Sequence, residues 1–463
     1  MCRSNHLRAR GNDRLVSAQD LKDGRIVAQE IPRTPRRLFY GWWIVAAAMV
    51  GLSAAPSQFA FAALGLFIVP LGDEFGWNRA QISLALTCFT ASLAICLPLA
   101  GRLVDRFGSR RVLVPSILVC GFCLAAIPMV VSSLWHLLLV FTLIGSLGAG
   151  ANNLPYMRTI AAWFDRRRGL AIGLAMAGAG FSFAYVPPLV QTMIDALGWR
   201  SAYLTLAAIT VCVAAPLVAL VFRDTPAEMG LTADDAQDHA AEASMEDASG
   251  FGVAESLRSR TFWMLWAVFC LLSFSLYGLL PHFVPMLTDQ GMPAAQAALA
   301  ASTVGITVVV ARVAIGYLID RFFAPRVALL FFLASAAGIG LLAVNPSGGT
   351  AFLAAILVGL SIGAEIDLLA YLTTRYFGLR NFGAVYGLMF AALLVGTSAG
   401  PVSFGVGYEL TGSYVSILLA CAGLNMAALV IVALLPRYPE LPEAAHAPSG
   451  TVIGPLPTIE GST

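Results

Sequence analysis

The chain has 463 residues, 58% of them apolar and 12% charged, whereas an ordinary soluble domain carries about 25% charged residues. That composition excludes a water-soluble globular protein, and a formal net charge of +2 says little about partners. Residues 1–37 hold nine Lys or Arg against four acids and no apolar stretch of the signal-peptide kind, so they read as a basic cytosolic tail. Ten stretches without Asp, Glu, Lys or Arg follow, at 38–72, 80–101, 112–157, 169–194, 201–222, 261–288, 290–311, 327–364, 381–408 and 410–436. A bilayer-spanning helix needs only about 20 mostly apolar residues. Two stretches are too long for one crossing: Ser132-Ser133 divides the third, and Asn345-Pro346-Ser347-Gly348-Gly349 divides the eighth. The prediction is an all-α membrane protein with twelve transmembrane helices, helices 1 to 12 in chain order. A β-barrel is excluded because its strands alternate polar and apolar residues over about 10 positions. Eight cysteines are present; Cys120 and Cys123 in helix 3 have redox-pair spacing, but without a second pair or a His cluster they read as small packing residues.

Basic residues mark one side of the membrane. The loops after helices 2, 4, 8 and 10 carry Arg102, Arg106, Arg110, Arg111, Arg166, Arg167, Arg168, Arg321, Arg326, Arg375 and Arg380, and the opposite loops carry Arg79 and Arg200. The positive-inside rule then puts both termini and the central loop in the cytosol. That loop, 223–261, holds nine acids and three arginines and reads as a soluble linker. The expected organisation is a basic tail 1–37, a six-helix bundle 38–222, the acidic linker 223–261, a second six-helix bundle 262–436 and a cytosolic tail 437–463.

The two bundles are internal repeats. Gly101-Arg102-Leu103-Val104-Asp105-Arg106-Phe107 after helix 2 matches Gly316-Tyr317-Leu318-Ile319-Asp320-Arg321-Phe322 after helix 8. Trp163-Phe164 likewise matches Tyr376-Phe377, and Pro188 matches Pro401. Parallel six-helix repeats joined by a linker belong to transporters that bind substrate between their halves near the midplane. In each loop the glycine, Gly101 or Gly316, suits close helix packing. Asp105, Arg106, Asp320 and Arg321 suit charged contacts that latch one conformation and release in the other; serving topology alone is the plainer alternative.

With these residues the chain resembles the major facilitator superfamily over about 38–436, the repeated Gly-x-Leu-x-Asp-Arg loop being the hallmark of that superfamily. Trp163-Phe164-Asp165-Arg166-Arg167-Arg168-Gly169-Leu170-Ala171-Ile172-Gly173 is similar to the helix 4–5 signature of its monocarboxylate transporter branch. Tyr40-Gly41-Trp42-Trp43 is similar to the entry into helix 1 there and in oxalate/formate antiporters. The resemblance implies a secondary transporter of small organic anions, commonly coupled to protons, with Arg312 at the position of the helix 8 arginine that takes the substrate carboxylate. The sequence departs from that pattern twice: Val308 stands where an acidic partner is expected, and a helix 1 lysine falls near Ala63. The chain's single lysine is Lys22, in the tail.

Four charges lie inside predicted spans, where each costs from about 2.5 kcal/mol upward: Arg158, Arg312, Glu365 and Asp367. The planar fork of Arg312 suits bidentate carboxylate binding; a structural pair with an acid on another helix is the alternative. Arg158, nearer the cytosolic end, is a gate candidate or snorkels to the loop. Glu365 and Asp367 are about 200° apart on one helix and cannot face one point. A carboxyl group held out of water can exchange a proton reversibly, which makes either a coupling candidate, and interhelical pairing is the alternative. His282, between Pro281 and Pro285, is a candidate for proton or anion binding. Asn152 is a candidate for substrate binding as cavity lining, or packs between helices with Asn153. Tyr371 shares a face with Asp367 and is a candidate to orient or shield it and to bind substrate.

No G-x-x-x-x-G-K-[ST] loop is present, so ATP is not the expected energy source. The sequence favours a secondary active transporter rather than an enzyme, taking up a small organic anion with protons by alternating access. An exporter of hydrophobic or amphipathic compounds and a carboxylate exchanger are the alternatives. The expected partners are the organic anion, protons and the lipid bilayer, with no nucleic acid, cofactor or metal, in a monomer of the cell inner membrane.

Overall fold

The computed structural model describes residues 39–164, 167–231, 250–344, 348–378 and 380–439. The two tails, the acidic stretch 232–249 and Asp165 with Arg166 lie outside the described residues, as do the side chains of Arg168 and Asp320. By its contacts the chain divides into Met1–Tyr40, of which Phe39 and Tyr40 are described, and Gly41–Thr463, which carries the described helices.

Among the described residues twelve helices are long and apolar enough to cross a membrane. They are α1 (Gly41–Phe75), α2 (Arg79–Phe107), α3 (Ser109–Val130), α4 (Leu134–Trp163), α5 (Gly169–Leu197), α6 (Trp199–Val221), α7 (Arg260–Asp289), α8 (Ala294–Ile319), α9 (Ala324–Val344), α10 (Gly349–Phe377), α11 (Phe382–Thr411) and α12 (Val415–Ala433). Hydrocarbon offers the backbone no hydrogen bonds, so each segment satisfies its own amides as a helix. Phe122 on α3, Leu220 on α6, Leu330 on α9 and Leu419 on α12 are exposed on the outside. In water each such side chain would forfeit about 1.5–3 kcal/mol; against lipid tails it does not.

The packing repeats itself six helices along the chain. α1 packs on α5 as α7 packs on α11, α2 on α4 as α8 on α10, and α3 on α6 as α9 on α12. Between the bundles, α2 meets α11 and α5 meets α8, which are the same contact under the repeat, while α1 meets α7 on the axis. The fold is therefore two six-helix repeats.

Two proline-adjacent breaks interrupt the N-terminal bundle. α1 consists of Gly41–Ser53 and Pro56–Phe75 with Ala55 extended between them. Proline lacks the amide that would continue the first segment. α4 passes through a 3-10 turn at Ala149–Ala151, then an extended Asn152 whose side chain accepts from the Asn153 amide at 2.7 Å. Pro155 follows in the first turn of Asn153–Trp163.

Polar pairs join neighbouring helices inside the apolar bundles. Asn425 on α12 donates from Nδ2 to Ser335 Oγ on α9 at 2.6 Å, with both residues fully buried. Such bonds contribute about 0.6–1.7 kcal/mol in a membrane. Asn425→Leu is expected to lower the thermal unfolding midpoint in detergent by about 2 °C, read by intrinsic tryptophan fluorescence; an unchanged midpoint would show that the bond carries no net stability.

The two ends of the bundle differ. One end, formed by the α2–α3, α4–α5, α8–α9 and α10–α11 turns, carries the arginines; it is the basic end. At the other end the bundles are pressed together. The backbone of Gly405 on α11 leaves no space for a Cβ against Ala80 on α2, nor does Gly65 on α1 against Pro281 on α7, nor Gly305 on α8 against Phe183 and Ala184 on α5. Gly101 and Gly316 behave differently: a Cβ on Gly101 would lie 3.7 Å from Leu154, and one on Gly316 would meet nothing within 4 Å. Neither of these two loop glycines makes the close helix contact that its residue type suits.

Candidate functional site

Between the bundles lies a cavity of about 780 Å³ including its open mouth. Its wall comes from α1, α2, α4 and α5 on one side and α7, α8, α10 and α11 on the other. Both helix breaks reach it, through Ser57 and Gln58 beyond the α1 break and Asn152 and Asn153 at the α4 break. Irregular backbone at membrane depth is tolerated where it lines such a space. The aromatic wall is formed by Phe61, Phe183, Tyr277 and Phe390.

Arg312 projects into this wall from α8. Its Nη1 donates to Asp367 Oδ1 of α10 at 3.4 Å, a long ion pair, and its buried Nε has no hydrogen-bond partner among the described residues. The guanidinium thus keeps unused donor capacity at the cavity, with its side chain 11% exposed and that of Asp367 35% exposed. Glu365 turns the other way, toward α7, where Ser273 Oγ donates to its Oε1 at 2.5 Å. It is fully buried, and its Oε2 has no partner among the described residues.

Of the other residues singled out in the sequence, Asn152 lines the cavity, while His282 and Tyr371 are absent from its wall. Arg158 bonds to Asp105 Oδ1 at 2.6 Å, both side chains being well exposed, so it meets the α2 end within its own bundle. Arg106 lies over the Phe107 ring at 5.3 Å and Arg321 over the Tyr317 ring at 4.3 Å. The position that Arg158 holds in α4 is taken in α10 by Tyr371, at the offset that aligns Trp163 with Tyr376.

His282 sits instead in a seal at the end opposite the basic one. Arg79, the first residue of α2, follows an Asn78–Gln81 capping box that fixes the helix start. It grips Asp289 at the end of α7 with two bonds of 2.6 and 2.8 Å, bonds the Tyr414 hydroxyl at 2.8 Å and stacks over the Tyr408 ring at 4.0 Å. Deeper in, Thr87 donates to the Ser398 carbonyl at 2.5 Å, and Thr90 bonds Ser398 Oγ at 2.7 Å. Ser302 on α8 donates to the Ala184 carbonyl on α5. All of these cross from one bundle to the other, so the cavity is closed off at this end.

The sequence matches the family described as Major Facilitator Superfamily over residues 50–401, and again over 283–460. The chain belongs to the Major Facilitator Superfamily. Its relatives in the superfamily include monocarboxylate transporter 11 of Mus musculus, 28% identical over 86% of this chain and 88% of the relative. Monocarboxylate transporter 2 of Homo sapiens is 24% identical over 84% of each chain. Among solved structures, a bacterial homologue of the human lysosomal transporter Spinster shares the fold with a TM-score of 0.58 at 17% identity, covering 85% of this chain and 94% of that one. The chain is accordingly a multi-pass membrane transporter of the superfamily, resembling its monocarboxylate transporter branch.

Several wall and seal residues carry no signal in a superfamily sequence read alone. Ser57, Gln58, Thr90 and Thr397 are neutral polar residues that are as common in packing contacts as at a cavity. Arg79 served in the sequence only as a topology marker, and its grip on Asp289 joins residues 210 positions apart.

Proposed function

We propose that the protein is a secondary active transporter that takes up a small organic anion, a monocarboxylate or related carboxylate, together with protons. The basic end faces the cytosol in this reading, in keeping with the positive-inside rule. Both termini then lie in the cytosol, the membrane is the cell inner membrane, the seal faces outward, and the cavity is in its inward-open state.

The observation that carries the reading is Arg312: a guanidinium in the cavity wall whose present partner is a single long contact to Asp367 and whose Nε is unused. A carboxylate accepts two parallel N–H bonds from such a fork, a better match than one bond at 3.4 Å. Substrate binding therefore displaces Asp367, which loses its counter-charge and takes up a proton. Asp367 is the coupling residue in this scheme, because it touches Arg312 and stays partly exposed, whereas Glu365 is sealed against Ser273. Asp367 from α10 thus stands in for the acid that Val308 does not supply on α8. The relatives named monocarboxylate transporters lend the substrate class additional weight. Uptake of labelled carboxylates into proteoliposomes, with and without an inward proton gradient, tests the proposal. Accumulation of one acid only with the gradient is expected, and no carboxylate uptake under either condition would refute it.

A second reading, export of an amphipathic compound, draws on the aromatic wall of Phe61, Phe183, Tyr277 and Phe390. It predicts efflux of amphipathic dyes that survives loss of the Arg312 charge.

A further inference from the structure

His282 has no place in the transport chemistry above, yet it is fully buried between the bundles with both ring nitrogens engaged. Its Nε2 lies 2.9 Å from the Pro401 carbonyl and 3.0 Å from Ser83 Oγ, and its Nδ1 lies 2.9 Å from the Tyr414 hydroxyl. A carbonyl only accepts, so Nε2 carries the hydrogen and Nδ1 is the acceptor. Tyr414 then donates to Nδ1 and receives from Arg79 Nη1 at 2.8 Å, and Arg79 in turn donates to Asp289. The result is one directed chain of hydrogen bonds from Arg79 through Tyr414 and His282 to the Pro401 carbonyl, with Asp289 accepting from the other side of Arg79, running across α2, α7, α11 and the start of α12.

This chain suits the neutral imidazole. A second ring proton, on Nδ1, would force the Tyr414 hydroxyl to turn its own hydrogen away and give up its bond to that atom. The charge would also be buried without a counter-ion, because the carboxylates nearby are committed elsewhere. Asp289 on α7 holds Arg79 with both oxygens, and the exposed Glu409 on α11 accepts from the Arg79 amide at 3.2 Å. At the end of α1 stand Asp73 and Glu74, the latter bonded to Arg200 and Trp199. α8 has no titratable side chain before Arg312, and Glu365 of α10 meets α7 at Ser273, nine residues or about 13 Å along the helix from His282. What faces the ring directly is the Arg79 cation through Tyr414, with Tyr408 behind it, and the Phe404 ring stacked at 5.8 Å. An unpaired buried charge costs several kcal/mol, which separation of the bundles would relieve by admitting water.

We propose that His282 is a second proton-binding site, which unlocks the seal: a proton taken up by His282 from the compartment at this end drives the two bundles apart there. The compartment that holds the transported proton thereby opens the gate through which that proton and its substrate enter.

Spin labels at Leu197 and Leu410, exposed sites at the sealed end on opposite bundles, report the separation by pulsed electron–electron resonance. The full chain is used, with its eight native cysteines replaced, and no substrate is needed. Between about pH 8 and about pH 5.5 the open-to-closed ratio is expected to rise about 10-fold. His282→Gln keeps an amide donor and an acceptor but cannot gain a charge, and is expected to stay closed at both pH values. Ser83→Asp supplies a carboxylate beside Nε2, gives the protonated ring a partner, and is expected to hold the seal shut at acid pH. A wild-type distance distribution that ignores pH, or a His282→Gln response equal to the wild-type one, overturns the proposal; either result leaves the role of Arg312 untouched.

Discussion

Arg312→Gln is expected to reduce gradient-driven uptake of the transported carboxylate about 100-fold. A hydrogen bond to a charged group contributes about 1.5–3 kcal/mol, and a bidentate pair supplies two, so an amide that offers one neutral donor forfeits at least a factor of 10–100 in affinity. Asp367→Asn is expected to act differently. It leaves Arg312 without its acid partner 3.4 Å away, so substrate binding survives while the proton acceptor is gone. Accumulation against a gradient should disappear, and exchange of labelled for unlabelled substrate should persist. Parallel uptake and counterflow assays on the two variants separate the anchor from the coupling group, and wild-type accumulation by Arg312→Gln would eliminate the anchor role.

The second large effect is expected at Gly305. A valine there would drive its Cβ into the backbone of Phe183 and Ala184, atoms that cannot move aside as a flexible side chain does. The contact lies between the bundles, one turn from the Ser302 bond to Ala184, so each bundle still folds but the sealed end cannot close. Transport needs both closed states in turn, and Gly305→Val should lose about 100-fold in uptake with little change in thermal unfolding. Spin labels at the sealed end should then report an open state regardless of pH. Gly340→Ala is the control, since a Cβ there meets nothing within 4 Å; its uptake should match the wild type. Normal transport by Gly305→Val would mean that the α5–α8 contact is not required in the cycle.

The twelve spans and their duplication were legible because both depend on local properties of the chain: charge-free length and a repeated loop motif. Arg312 was legible for a related reason, as a charge standing in an otherwise apolar run. Its partner was not. Asp367 and Glu365 are two residues apart, and which one turns toward α8 depends on the rotation of α10 about its axis, set by packing along its whole length. The breaks at Ala55 and Asn152 were also missed. Pro56 and Pro155 were visible, but a proline sits harmlessly inside α2, α3, α5, α7 and α11, so its presence does not tell a break from a tolerated kink. The seal escaped for a third reason: it is assembled from residues 79, 83, 282, 289 and 414, and nothing local links them.

The breaks fall in one half, and Arg312 with the two carboxylates of α10 in the other. Both irregular segments belong to α1 and α4, whereas Arg312, Asp367 and Glu365 belong to α8 and α10. At the offsets that align the repeats, Leu97 stands opposite Arg312, Asn152 opposite Glu365 and Leu154 opposite Asp367. The C-terminal copy carries these charges at the cavity and beside it, and the N-terminal copy supplies a neutral, interrupted wall. With the roles proposed for Arg312 and Asp367, changes in the N-terminal copy alter the preferred body of the cargo while its head group stays fixed, and a chimera built by exchanging that copy with a relative's is expected to take its selectivity from one parent and its energy coupling from the other.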